Sequence, residues 1–221
     1  MRTILAFGDS YTYGHGLEDC WVKQGDQYEV GPTHSQYSWP SLLVKDLVFN
    51  LNNYSRPGIS NLAILHKILN TKFDVNSVCV IMWSYYSRDM IFNKDYSPMK
   101  ELFNGSPNTV NRIINVGNWV EDEISKNWML AHNDTDLIMR TWYHIHHANL
   151  YLNSLKIPHY NVFVNYPVLE KYKPMYCEIP FRDISVQHFI DKALDGNHPG
   201  PLTHQRIAKD IKQCLIEDSI I

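Results

Sequence analysis

Apolar residues along this chain fall into short unbroken runs, separated by stretches in which they recur every three or four positions. Thr3 to Phe7 (TILAF) is a short apolar run that stops at Gly8, the pattern of a buried strand. Val78 to Trp83 (VCVIMW) and Tyr160 to Val164 (YNVFV) repeat it, and the first of these suits a strand buried on both faces. Between such runs, Trp39 to Phe49 places Leu42, Leu43, Leu47 and Val48 on one helical face, with Ser38 as candidate N-cap and Pro40 in the first turn. Asn61–Leu69, Asp136–Leu155 and Ile207–Ile216 have helical spacing too. Asn52–Ser55 predicts a further short strand and Asp183–Ala193 a short helix, while residues 17–37 and 166–182 read as loops. Residues 88–135 mix Asn, Gly, Pro and charge with Trp119 and Trp128; they read as an insertion with some helix that covers one end of the sheet. Strands alternating with helices predict one α/β domain over residues 1–221, a three-layer α/β/α sandwich with a mainly parallel central sheet. Such sheets bind ligands beyond the carboxyl ends of their strands, and Ser10 lies just past the first.

Composition narrows the partners. With 221 residues, 44% hydrophobic and 19% charged, the chain suits one globular core. A net charge of −3 provides no footprint for nucleic acid or an anionic membrane. No run approaches the roughly 18 apolar residues that cross a bilayer. The N-terminal MRTILAF meets Gly8 and Asp9 too soon for a signal peptide. Cys20, Cys79, Cys177 and Cys214 form no C-x-x-C pair, which argues against bound zinc and against a disulfide framework. The expectation is a reduced, cytoplasmic protein without a metal or organic cofactor. The Asn-x-Ser/Thr triplets at Asn53, Asn104 and Asn133 then carry no information.

Two short stretches carry candidate chemistry. FGDSYTYG (Phe7–Gly14) sets a serine at the mouth of the sheet, although a strand ending in a turn explains it equally. Serine is a poor nucleophile until a base takes its proton, and the base needs a partner that fixes its tautomer. DGNHPG (Asp195–Gly200) offers both: a compact turn returns Asp195 to the imidazole of His198, three residues on. A plain surface turn before a helix has the same composition.

Together the two blocks resemble those of the SGNH hydrolases, the GDSL esterase/lipase family: Gly-Asp-Ser near the start and Asp-x-x-His-Pro near the end. The following PLTHQRIAKDI, with His204 and Ala208, is also similar. The resemblance implies a flavodoxin-like sandwich with Ser10 as nucleophile, His198 as general base and then acid, and Asp195 orienting His198. The Gly-x-Ser-x-Gly elbow of α/β-hydrolases is absent.

The resemblance also implies an oxyanion hole. Its backbone donors are Ser10 and, in NYSRPGISN, Gly58, which a strand-to-helix turn explains as well. The family's third donor is an asparagine after the third strand. IMWSYYSRDM has none there; Ser84 falls nearest, with Tyr85 next. His15, Tyr85 and Arg88 are candidate substrate contacts, with Arg88 equally able to pair with an acid. Tyr11, Tyr13, Tyr86, Trp119 and Trp128 read as core packing before they read as an aromatic wall. His144, His146 and His147 lack the spacing and acidic partner of a metal site.

The expected activity is hydrolysis of a carboxylic ester, with a short acyl group such as acetyl on a glycan or other polar carrier. A lipase, thioesterase or acyltransferase with the same triad is the first alternative. A catalytically silent binding protein of the same fold is the second.

Overall fold

A computed structural model describes residues 1–24, 27–92, 113–117, 123–164, 166–174, 186 and 189–221. Trp119, Asn104, Cys177 and most of 183–188 lie outside the described residues. Strands β1 (Thr3–Phe7), β4 (Asn50–Asn53), β5 (Ser77–Trp83) and β8 (His159–Phe163) form a parallel sheet in the order β4-β1-β5-β8. Helices α2 (Trp39–Leu47) and α7 (Pro201–Glu217) cover one face; α3 (Asn61–Leu69) and α5 (Asp134–Ser154) cover the other.

The unbroken apolar runs follow from this sandwiching. Alternate side chains of a strand point to opposite faces. Leu5, Phe7, Cys79, Ile81 and Trp83 pack towards α3 and α5, and Ile4, Ala6, Val78, Val80 and Met82 towards α2 and α7. Neither face of β5 meets water, so neither set is polar. The edge strand β4 is NLNN, half-exposed, and starts two residues earlier than its Asn-rich sequence predicts.

Several expected boundaries change. The 17–37 loop contains an antiparallel hairpin, β2 (Trp21–Gln24) and β3 (Gln27–Val30). The 166–182 loop begins with a short helix, α6 (Tyr166–Lys171). Residues 88–135, read from the sequence as an insertion, hold a second hairpin, β6 (Arg88–Phe92) and β7 (Ile113–Gly117), and helix α4 (Glu123–Ala131). The helix expected at 183–193 is not seen over its described end: Lys192 bridges Pro199, and the Ala193 N–H donates to the His198 carbonyl at 2.9 Å. Ser38 is the N-cap residue of α2 as expected, but its side chain makes no capping bond to the helix N–H groups; its Oγ donates to the Ser35 carbonyl at 2.6 Å. Among the described residues no helix is long and apolar enough to cross a membrane.

His204 ties α7 to α2. It is fully buried, and its Nδ1 accepts the Trp39 backbone N–H at 3.1 Å. Burial pushes its pKa down from the ordinary 6.5 to about 4. The unfolded chain therefore binds a proton between those values that the folded chain refuses. Stability should fall as pH drops through that window and be insensitive to this group above it. The half-buried His144 adds to the same effect, being lowered to about 4 as well. Urea midpoints at pH 7 and pH 4.5 check this: His204→Asn, which keeps an acceptor, should show a smaller drop than the parent. An equal drop would take His204 out of the acid response.

Candidate active site

Helix α1 (Ser10–Tyr13) starts where β1 ends. Asp9 is its N-cap, and Asp9 Oδ1 accepts the Tyr11 N–H at 3.1 Å. Gly14 closes this turn in the left-handed region at φ 82°, which favours glycine. Ser10 is thus the first helical residue, buried to 3% exposure, and its N–H is one that a helix start leaves unpaired. Neither that N–H nor the Ser10 Oγ has a partner among the described residues.

The Asp195 turn docks on this segment. The Leu194 N–H donates to the Gly16 carbonyl at 2.9 Å. A Cβ on Gly16 would sit 2.8 Å from the Asp195 carboxyl carbon, so only glycine admits the approach. From the other side, Asp191 fastens the turn to α7, accepting the Leu202 and Thr203 N–H groups at 2.9 Å each.

Within the turn, Asp195 Oδ1 accepts the backbone N–H of Asn197 and of His198, both at 3.1 Å. This leaves Oδ2 facing His198 Nδ1 at 2.5 Å. Burial raises the Asp195 pKa, but the two backbone N–H groups and the imidazole outweigh it and hold the carboxyl below its ordinary value. Asp195 and His198 therefore pair as the spacing predicts. His198 stands edge-on to Tyr11, ring centroids 5.6 Å apart, which places it over the turn that Ser10 begins.

His15, a candidate substrate contact in the sequence, lies against His198. Its ring stacks on His198 at 4.3 Å with 24° between planes, and its Nε2 lies 3.7 Å from Asp195 Oδ2. Trp21, which the sequence does not mark, covers its outer side at 4.9 Å. Burial lowers the His15 pKa, the neighbouring His198 lowers it further, and Asp195 opposes both.

The end of β5 also departs from expectation. The Ser84 Oγ donates its one proton to Asp9 Oδ2 at 2.6 Å, and the residue is buried. Ser84 is therefore committed beneath the Ser10 turn in this structure and has no second proton to offer a ligand. Arg88 Nη1 binds the same Asp9 oxygen at 3.0 Å and Ser84 Oγ at 3.2 Å. Arg88 thus pairs with a buried acid, where a role in holding substrate was also open. Asn61, unmarked by any motif, grips Ser84 by both backbone groups: its Oδ1 accepts the N–H at 2.7 Å, and its Nδ2 donates to the carbonyl at 3.1 Å.

Tyr85 meets Tyr11 hydroxyl to hydroxyl at 3.0 Å. Each phenol has one proton, and one of the two joins the pair. The other proton has no acceptor among the described residues. Gly58 has φ 76° and open space beside its Cα, and its N–H is unpaired among the described residues. The Arg56 N–H donates to the Gly8 carbonyl at 3.1 Å, which sets this loop beside the turn that begins with Ser10.

A parallel three-layer sheet with a Gly-Asp-Ser turn after its first strand and an Asp-x-x-His turn beside it has the SGNH hydrolase fold. The solved structures it resembles include a protein assigned to the G-D-S-L lipolytic family from Desulfitobacterium hafniense DCB-2 (TM-score 0.55, 9% identity, 96% of this chain and 99% of that one). The psychrotrophic esterase EstA from Pseudoalteromonas sp., inhibited by monoethylphosphonate, matches over 100% of both chains (TM-score 0.54, 9% identity). A family two carbohydrate esterase from Clostridium thermocellum in complex with cellohexaose matches over 98% of this chain (TM-score 0.56, 12% identity). This chain spans 64% of that esterase. No protein-family model and no curated protein matches the sequence.

Proposed function

We propose that the protein is a serine esterase that hydrolyses short acyl esters, acetyl foremost, carried by a glycan or other polar molecule. The observation that supports this best is the docking of the Asp195–His198 pair, through Gly16 and His15, on the turn that begins with Ser10. The glycan carrier has weaker support, drawn from neighbours of the same fold such as the esterase bound to cellohexaose.

In the proposed cycle Ser10 Oγ attacks the ester carbonyl carbon as its proton passes to His198 Nε2. Asp195 accepts a hydrogen bond from the proton on His198 Nδ1 throughout and stabilises the imidazolium. The tetrahedral intermediate collapses, the ester C–O bond breaks, and His198 returns the proton to the departing alcohol. Water then attacks the acyl-Ser10 carbonyl by the same route and frees the acid. Catalytic contacts are often loose without substrate, and Ser10 and His198 close on each other when the ester binds. The negative oxygen faces the N–H groups of Ser10 and Gly58, with the spare proton of the Tyr11–Tyr85 pair as the third donor.

Treatment with a fluorophosphonate should place the adduct on Ser10, read by peptide mass spectrometry. Undiminished labelling of a Ser10→Ala protein would reject the nucleophile. Acyl chain-length profiling and acceptor competition separate an esterase from a lipase or an acyltransferase. For the third donor, Tyr85→Phe should lower kcat about 10- to 100-fold with little change in KM, since an oxyanion contact strengthens in the transition state. Ser84→Ala sets the alternative: if it lowers kcat and Tyr85→Phe does not, the hydroxyl leaves Asp9 during turnover and the phenol pair is a packing contact.

A further inference from the structure

His15 touches both groups that the proposed reaction brings together. Its backbone N–H donates to the Ser10 carbonyl at 3.0 Å, and its ring lies flat on His198, with centroids 4.3 Å apart and 24° between planes. We propose that His15 is a positioning residue: its ring presses on the face of the His198 imidazole and keeps that ring in the plane from which Nε2 reaches Ser10. The effect on catalysis rests on the serine-esterase reading above; the hold on the ring does not.

Each contact restrains His198 differently. The bond from Nδ1 to Asp195 Oδ2 at 2.5 Å fixes one corner of the ring. Tyr11 bounds an edge at 5.6 Å. Neither stops the ring from tilting about that corner, a motion that carries Nε2 sideways. A flat ring against the face does stop it, and stacked aromatic rings attract as well as exclude. The His198 side chain is 20% exposed, so it is not walled in on every side and the stack has work to do.

His15 is itself held. Gly14 at φ 82° and Gly16 at φ 84° flank it in the chain, and Trp21, at the start of β2, covers its outer side at 4.9 Å. A stack of three rings thus runs from the β2–β3 hairpin to the proposed base. The face of the ring acts, not its nitrogen: His15 Nε2 lies 3.7 Å from Asp195 Oδ2, beyond a hydrogen bond. Burial and then the neighbouring His198 lower the His15 pKa against the pull of Asp195, which favours a neutral ring at neutral pH. A neutral ring does not compete for Asp195 and sets no charge against the imidazolium that the reaction forms.

His15→Ala should lower kcat about 10- to 100-fold with KM little changed, because Nε2 of His198 loses its aim while the substrate keeps its contacts. His15→Phe restores a flat ring without a nitrogen and should recover most of the loss. His15→Leu fills the space without a flat face and should recover little. His147→Ala, an exposed histidine on α5, should leave kcat unchanged. Urea unfolding of each preparation gives its folded fraction, and the Phe and Leu variants decide the question should His15→Ala not fold. Proton NMR of the full chain reads the ring without turnover. The Nδ1 proton held between His198 and Asp195 should resonate far downfield, identified by its absence in His198→Ala. It should persist in His15→Phe and be lost to exchange with water in His15→Ala. Parent-like turnover in His15→Ala overturns the proposal, as does a His15→Phe protein as slow as His15→Ala, since the nitrogen would then be the acting group. A raised KM at unchanged kcat overturns it in favour of a substrate contact. If the parent cleaves no ester, the esterase reading fails instead, and the resonance in the His15 variants still decides whether the ring holds His198.

Discussion

Asp195→Asn is expected to lower kcat about ten-thousand-fold while the protein stays folded. The amide oxygen can still accept the backbone N–H groups of Asn197 and His198, as Oδ1 does now, so the turn keeps its shape. Its nitrogen, however, replaces the oxygen that lies 2.5 Å from His198 Nδ1. An amide N–H donates where the carboxylate accepted. His198 must then turn its lone pair to Nδ1 and its proton to Nε2, the tautomer that cannot take a proton from Ser10. The charge that stabilises the imidazolium is lost in the same step. Esterase kinetics with urea unfolding of the same preparation check this. A folded variant with turnover within tenfold of the parent would remove Asp195 from the proposed triad.

Arg88→Ala is expected to cost about 3–5 kcal/mol of stability, the range for removing one partner of a buried ion pair. Asp9 is fully buried, and its Oδ2 binds both Arg88 and Ser84. Without the guanidinium, a carboxylate remains in the interior with two hydrogen bonds from neutral donors, the Ser84 hydroxyl and the Tyr11 N–H. Ser84→Ala should cost less, about 1.5–3 kcal/mol, because it removes a hydrogen bond to a charge and leaves the counter-charge in place. Arg88→Lys should fall between the parent and Arg88→Ala, since a single ammonium does not reproduce the guanidinium fork. Urea midpoints order the variants. If Arg88→Ala lies within about 1 kcal/mol of the parent, water reaches Asp9 and the pair is no anchor.

This anchor links the β6–β7 hairpin to the turn that holds the proposed nucleophile. Arg88 opens β6, the first strand of the hairpin that follows β5, and its contact with Asp9 reaches the residue that caps α1. A loosened hairpin would therefore be felt at Ser10 through one side chain. The prediction is that Arg88→Ala loses more activity than its folded fraction accounts for.

The sequence alone determined the layered α/β architecture and the pairing of Asp195 with His198. Both follow from short-range rules. VCVIMW is apolar at every position because both faces of β5 are covered, and DGNH folds on itself within four residues. The two hairpins and α6 lay below what periodicity reveals, and the Asn-rich β4 reads two residues late, since short polar elements take their shape from their neighbours. Only the tertiary structure decided what Ser84, Arg88 and His15 do. Ser84 ends a strand where a donor is wanted, but its proton goes to Asp9, 75 residues earlier. His15 follows the Ser10 turn closely, yet it stacks on a histidine near the other end of the chain. Asn61 gave no sign beyond a helix start and now holds Ser84 by both backbone groups. A hydroxyl, a guanidinium or an imidazole can serve several partners equally well, and which one it meets is set by the packing of distant strands and loops.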